Sequence, residues 1–470
     1  MTPATARLTV VGAGLAGCEA AWQAASLGAR VRLIDIKPEA RTPAHHLAEF
    51  AELVCSNSLG SQSAGNAKGL LKMELSALDS LIIRCAEACK VPAGGALAVD
   101  RVSFSQTVTA ALQACDKIGF ECGEVTRIPD ERPCIIATGP LTTPSLLRDI
   151  ADRFGSEGLY FFDAASPIVT RESLDESRTY RSSRYDKGEG AYINCPMTRD
   201  QYDAFVTELL NAETAAQHGF EDSKLFEGCV PVESLAGRGR DTLRFGPMKP
   251  KGLRDPRTGL EPYAAVQLRQ DDLEGRLYSL VGFQTRLKHG EQKRVFSMIP
   301  GLERAEFVRY GVMHKNAYIN SPGILSGTYE ARGGEGLYFT GQITGVEGYV
   351  ESVSSGLVAG VCSVLKAGYG ITPRFPPETL IGALAGYVSN AAGANRNACE
   401  PPNTGECEPL ETGRRTAAGV FQPMNANFGI LPLPDAPDRR VPKKERNERC
   451  AERSLAAIAG TAELIRKYRV

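Results

Sequence analysis

No run of 18 apolar residues occurs in this 470-residue chain, so no membrane-spanning helix is expected. Met1–Arg7 is too short and too polar to act as a secretory leader. Net charge is −1, and nothing global announces a polyanionic partner. The thirteen cysteines are scattered and odd in number, with no CxxC pair. That pattern disfavours a disulfide framework and fits a reducing cytosol. Cys85 and Cys89, four apart on an expected helix Leu81–Lys90, read as packed residues, and Cys399 and Cys407 have no histidine near them to complete a zinc site. No metal is expected. With 43% hydrophobic residues, the chain is long enough to bury a large core and to form two domains.

What is present is concentrated near the N-terminus. Leu8-Thr9-Val10-Val11 leads into Gly12-Ala13-Gly14-Leu15-Ala16-Gly17, then a small-residue helix from Cys18, then Val31, Leu33 and Asp35. Strand, glycine turn, helix, second strand and acid follow in the order a dinucleotide site requires. Gly12 permits the turn, Gly14 lets backbone approach a pyrophosphate, and Gly17 lets helix and strand pack closely. The helix N-terminus offers unpaired N–H groups to phosphate, and Asp35 is placed for ribose hydroxyls. No second GxGxxG has a strand and helix around it, so a separate NAD(P)H-binding domain is not expected.

Two distant segments extend the site. Cys134–Pro140 reads as a strand ending at Thr138-Gly139, and Leu337–Gln342 as another ending at Gly341-Gln342. Gly345 and Tyr349 precede a small-residue helix, Ser352–Gly360. A chain that returns this late to close a nucleotide site resembles the two-dinucleotide-binding-domain flavoproteins. The resemblance implies an α/β, Rossmann-like FAD-binding domain, with the helix after Gly345 aimed at the isoalloxazine ring. Gln342 stands where those proteins often carry Asp.

The expected organisation is residues 1–160 and 305–470 as two parts of the FAD-binding domain, with an inserted α+β domain at 161–304. The connection from Lys37 to Gly69 is unusually long, and such connections are often functional. Residues 390–419 read as a flexible surface insertion, and Ala451–Arg466 as a capping helix. Between Arg238 and Arg294 thirteen Lys and Arg face seven acids, a local balance of +6. This is either a polyanion-binding face, with Arg238, Arg240, Lys249 and Arg269 as contacts, or an ordinary surface whose basic groups point several ways.

Cys55, in Leu53-Val54-Cys55-Ser56-Asn57-Ser58, and Cys229, in Gly228-Cys229-Val230-Pro231, stand out by their neighbours. A thiol reacts as thiolate, which needs an electropositive or helix-terminal setting; otherwise a packed role is the plainer reading. Here the strings Thr42–His46, Leu53–Ser58, Val91–Arg101, Ser183–Gly188, Phe245–Pro250, Val266–Asp272, Gly311–His314, Gly345–Ser352 and Gln422–Gly429 resemble the folate- and FAD-dependent tRNA uracil-5-methyltransferases. The resemblance runs from Leu8 to the final helix. It implies methylenetetrahydrofolate as carbon donor, reduced FAD with NAD(P)H as reductant, and 5-methyluridine in the tRNA T loop, position 54, as product. Cys55 and Cys229 match the family's two functional cysteines, with Cys229 favoured as nucleophile. His314 and Tyr349 are candidate stacking partners, His45 and His46 are as readily structural, and no obligatory protein partner is evident. Gly60 departs from the family, where many members have Arg.

Other readings remain at this point. One is related chemistry on ribosomal RNA or at the tRNA wobble position, although the wobble enzymes carry a longer helical C-terminal region. Others are a small-molecule flavin oxidoreductase and a non-catalytic flavin-bound RNA-binding protein.

Overall fold

The computed structural model describes residues 6–42, 44–154, 159–186, 190–215, 230–333, 336–389, 421–432 and 441–470. Five parallel strands form the first sheet, in the order Leu337–Phe339, Cys134–Ile136, Arg7–Val11, Arg30–Asp35, Ile118–Cys122. Arg7–Val11 sits centrally because Val10 and Val11 are buried and flanked on both edges by apolar runs. Parallel strands end at one edge, so residues 12–17, 35, 137–139 and 340–342 are gathered there, although they span most of the chain.

Helix Leu15–Ser26 packs against the long helix Tyr349–Tyr369. Two glycines set their separation. A Cβ at Gly356 would lie 2.2 Å from the Ala16 carbonyl oxygen, and one at Gly360 would lie 2.6 Å from that of Ala20. The helix Tyr349–Tyr369 is long and apolar enough to cross a membrane, but its most apolar stretch is 83% buried inside the protein. It is a core helix. It begins earlier and ends later than the run of small residues suggested. The final helix likewise starts at Lys443, taking in charged residues expected to precede it.

The second sheet is six-stranded and antiparallel, in the order Tyr180–Ser182, Tyr192–Met197, Ala264–Gln270, Leu277–Leu280, Ile168–Thr170, Phe307–Arg309. Helices Arg199–Asn211, Val232–Gly237 and His289–Phe296 cover it around Tyr202, Phe205, Phe283 and Phe296. Strands Leu159–Ala164 and Met313–Tyr318 pair antiparallel, so the chain leaves the first sheet and returns to it side by side. The segment Lys37–Gly69 is mainly loop, organised by a buried ion pair. Lys37 Nζ lies 2.8 Å from Glu52 Oε2, with both side chains nearly inaccessible. Residues 390–420, which include the expected surface insertion, lie outside the described residues.

Candidate functional site

An open cleft of about 1150 Å³ lies along the carboxyl edge of the parallel sheet. Of the residues expected to hold a cofactor, Gly12, Ala13, Gly14, Leu15, Ala16, Asp35, Thr138, Gly139, Gly341, Gln342 and Tyr349 line it. Gly12 has φ +101°, and a Cβ there would lie 2.6 Å from the Ala137 carbonyl oxygen, so both the turn and the neighbouring strand demand glycine. At Gly14 a Cβ would meet no protein atom within 4 Å. The room beside that backbone is therefore left to a ligand. No side chain caps helix Leu15–Ser26, whose first-turn N–H groups lack intrahelical partners and carry the positive end of its dipole. A pyrophosphate fits this cradle.

Two expected cofactor contacts, Gly17 and Gly345, lie off the cleft lining, and a third, Asp35, lines it with both oxygens already engaged. Gly17 does not line the cleft; a Cβ there would lie 1.8 Å from the Gly12 carbonyl oxygen, so it serves helix–strand packing alone. Gly345 is also absent from the lining. It adopts φ +81° with its Cβ position 2.4 Å from the Phe421 ring, and the helix facing the cleft starts four residues later, presenting Tyr349 and Ser352. Asp35 is at the cleft, but both oxygens already accept backbone hydrogen bonds. Oδ2 takes the Ala13 N–H at 2.6 Å and Oδ1 the Lys37 N–H at 2.9 Å. That clasp ties the second strand to the glycine turn. Gln342 donates to Glu347 at 2.6 Å, which orients it at the wall.

Sequence reasoning missed one wall. Lys37, His45, Glu52, Gly123–Val125 and Leu141–Thr143 also line the cleft. Burial alone would raise the Glu52 carboxyl, but the Lys37 hydrogen bond and the N–H groups of His46 and Leu47 outweigh it and hold the pKa down. His45 bonds Thr42 Oγ1 through Nδ1 at 2.6 Å, and burial, then Lys37, push it down to about 4. It is a neutral imidazole. Within the sequence, the long Lys37–Gly69 connection with its Thr42–His46 string pointed to this wall, whereas the Lys37–Glu52 pair follows no spacing rule.

Cys55 is half-buried, in no disulfide, and immediately follows Val54 of the cleft lining. Tyr349 Oη accepts the N–H groups of Cys55 at 2.8 Å and Ser56 at 3.0 Å. Burial, then the adjacent Cys55, raise the Tyr349 phenol, so it stays protonated. Three arginines from distant segments converge on the same loop. Arg101 donates to the Leu53 carbonyl at 2.6 Å, Arg309 to that of Val54 at 2.8 Å, and Arg269 to Ser56 Oγ and Asn57 Oδ1, both at 2.8 Å. Arg101 and Arg269 thus bring two guanidinium groups against the residues on either side of Cys55.

Arg269 is therefore no surface contact. It was expected on a basic face, but its Nε and Nη2 donors are engaged by Asn57 and Ser56 of the Cys55 loop. Much of the basic excess is also neutralised. Arg240, Arg244, Arg257, Arg276, Arg286, Lys288 and Arg294 all form ion pairs, several with acids outside the counted segment such as Asp203, Glu208, Glu213 and Glu233. Arg238 and Lys249 are exposed. His314 lies on strand Met313–Tyr318 opposite Asp163, and its side chain lies outside the described residues, as does Cys229 entirely. Cys85 and Cys89 are buried, as expected, and burial pushes Cys85 up to about 11. Among the described residues no cluster of His, Cys, Asp or Glu is arranged to hold a metal.

Residues 7–369 match the family described as glucose inhibited division protein A (GIDA). A protein of Lactobacillus acidophilus named methylenetetrahydrofolate--tRNA-(uracil-5-)-methyltransferase TrmFO is 51% identical over 96% of this chain and 97% of its own length. Proteins of the same name from Acetivibrio thermocellus and Natranaerobius thermophilus are 51% and 52% identical, covering 98% and 96% of this chain and 99% and 98% of their own lengths. Among solved structures, two crystal forms of Aquifex aeolicus GidA share the fold. Form II has a TM-score of 0.66 at 16% identity, covering 99% of this chain and 76% of that one. Form I has a TM-score of 0.61 at 18% identity, covering 82% and 69%. The chain belongs to the GIDA family and, within it, to the TrmFO proteins.

Proposed function

We infer that this protein is a methylenetetrahydrofolate- and FAD-dependent tRNA uracil-5-methyltransferase, in line with relatives that match it over nearly their whole lengths. The observation that carries the site assignment is the loop of Cys55, held at the cleft by Tyr349, Arg101, Arg269 and Arg309. Bound FAD supplies the reducing equivalents that bring the transferred carbon to the methyl level, renewed by NAD(P)H.

The protein's own task is to activate the base. Uracil C5 is a weak nucleophile until a thiolate adds to C6 and makes C5 an enolate carbon. Bond formation from C5 to the one-carbon unit is followed by loss of the C5 proton to a base as the carbon's bond to its donor breaks; two electrons and a proton delivered to that carbon complete the methyl group, and the thiolate then leaves C6. We assign the C6 addition to Cys229 and proton removal at C5 to Cys55. We place the target in the T loop, at position 54, from which the base must be extracted at a cost of about a few kcal/mol. Residues 161–304 form the RNA side, residues 1–160 and 305–470 the cofactor side, and the setting is cytoplasmic.

The test is to incubate the purified protein with unmodified tRNA, methylenetetrahydrofolate and NAD(P)H, then digest the RNA and search for 5-methyluridine. Carbon label should enter from methylenetetrahydrofolate and not from S-adenosylmethionine. A 5-fluorouridine T arm separates the thiols. Cys229→Ala is expected to abolish the covalent RNA adduct, and Cys55→Ala to stop turnover while the adduct still forms. The opposite pattern would reverse the two roles, and label from S-adenosylmethionine alone would refute the carbon source.

A further inference from the structure

Two strings that the chemistry above leaves unused meet beside the second sheet, the first through its described residues 183–186 and the second, Phe245–Pro250, through its continuation at Lys251 and Gly252. The Tyr185 N–H donates to the Gly252 carbonyl at 2.9 Å. Arg184 bonds the Lys251 carbonyl and Gln267 Oε1, both at 3.0 Å. Gln267 and Arg269 are two residues apart on strand Ala264–Gln270, so they share a face, and Arg269 leads directly to the Cys55 loop. The Ala265 N–H, on the same strand, donates to the Met248 carbonyl at 3.1 Å. Four residues of strand, about 13 Å, separate Ala265 from Arg269.

The surface built there is unusual for this chain. Phe245 is 81% exposed and Tyr185 58% exposed. Tyr185 is held in the left-handed region at φ +57°, a conformation that costs a bulky residue free energy. Its ring rests on Gly252, where a Cβ would lie 2.9 Å from it, so the ring is fixed in place and partly open to solvent. Lys249, Lys251 and Arg254 are exposed in the same loop. Among the described residues they form no ion pair, whereas most other basic groups of the segment do. Nearby Glu261 accepts the Gly252 N–H at 2.8 Å.

We propose that this patch binds the unpaired nucleotides flanking the target uridine, with bases stacking on Tyr185 and Phe245 and phosphates on Lys249, Lys251 and Arg254. Exposed rings beside uncompensated cations are the combination that holds single-stranded nucleic acid with little regard to sequence. The patch borders strand Ala264–Gln270, whose Arg269 holds the Cys55 loop. The proposal rests on the reading that RNA is the substrate.

The test compares a T-arm stem-loop with a fully paired stem, measuring Kd by fluorescence anisotropy over a series of salt concentrations. Phe245→Ala is expected to weaken the stem-loop about tenfold and leave the paired stem unchanged. Lys249→Glu combined with Lys251→Glu should weaken binding and reduce the salt slope by about 1 to 2. Arg7→Glu combined with Arg30→Glu, both exposed at the amino ends of adjacent strands of the parallel sheet, matches that change in net charge and should leave Kd unchanged. Wild-type flavin absorbance in each variant establishes the fold. Wild-type affinity in both patch variants, or an equal loss in the Arg7, Arg30 double variant, overturns the proposal. A wild-type protein that neither binds the T arm nor forms 5-methyluridine overturns the functional reading instead.

Discussion

At the scale of single residues, space and charge decide more than residue type. Gly12 and Gly14 look alike in the motif, yet one is hemmed in by Ala137 and the other faces open cleft. Gly14→Val is therefore expected to fold with the melting behaviour of the FAD-free wild-type protein and to lose FAD, because its side chain enters space that only a ligand would fill. Flavin absorbance after gel filtration, set beside circular dichroism, checks both halves. A folded variant that retains FAD would remove the phosphate cradle from Gly14. His45 carries a pH dependence. Its folded pKa of about 4 lies below the usual histidine value of 6.5, so the neutral form is favoured by folding. Its contribution is complete above about pH 6.5 and is lost as pH falls through 4. At about 1.4 kcal/mol per pKa unit, discounted for partial exposure, roughly 1–2 kcal/mol is involved. His45→Gln should flatten the fall in melting temperature between pH 6.5 and 4.

At the scale of elements, the contact between helices Leu15–Ser26 and Tyr349–Tyr369 fixes the cleft, since Ala16 belongs to both the contact and the lining. Gly356→Ala drives a Cβ to 2.2 Å from the Ala16 carbonyl oxygen, against backbone that has nowhere to move. A loss of about 1–3 kcal/mol is expected, together with weaker FAD binding. Gly368→Ala, in the same helix, meets nothing within 4 Å and should be neutral or stabilising by about 0.5–1 kcal/mol. Thermal denaturation of both variants separates packing from helix propensity; equal effects would mean that the close approach is unimportant. The apolar strands and the small-residue helix were legible because burial imposes a short period on the sequence. Helix Tyr349–Tyr369 was read too short because its flanks are decided by neighbours, and Gly345 was misplaced because its turn packs on Phe421, which is 76 residues away.

At the scale of the molecule, the second sheet is clasped to residues 57 and 93–101 beside the thiol. Arg101 Nε meets Asp271 Oδ1 at 2.8 Å, with side chains 11% and 4% exposed. Asn57 Nδ2 donates to the carbonyls of Val99 and Gln270, the Leu273 N–H donates to Asp100, and Tyr192 Oη donates to Ala93. Removing one member of a buried pair leaves a charge unpaired, so Arg101→Met or Asp271→Leu alone should cost about 3–5 kcal/mol. The double variant should recover much of that stability, but not methyl transfer, because the Leu53 carbonyl and the Cys55 loop lose their anchor. A double-mutant cycle by chemical denaturation, run beside the tRNA assay, checks the expectation. Full activity in the double variant would separate the clasp from the chemistry.

Local pattern alone determined the nucleotide turn and the strands bearing Thr138-Gly139 and Gly341-Gln342, because each is a matter of neighbours along the chain; the interest of Cys55 and Cys229 came from the family resemblance. Tertiary structure decided what surrounds them. Arg101, Arg269 and Arg309 lie far apart in sequence and meet only where strands Ala264–Gln270 and Phe307–Arg309 of the second sheet come against the loop of residues 53–57. The same docking took Arg269 from the expected RNA face to Cys55, and folding gave most other basic groups of that segment acidic partners. A charge count along the chain registers how many ions there are, but Coulomb energy depends on distance and burial, which exist only once the chain has folded.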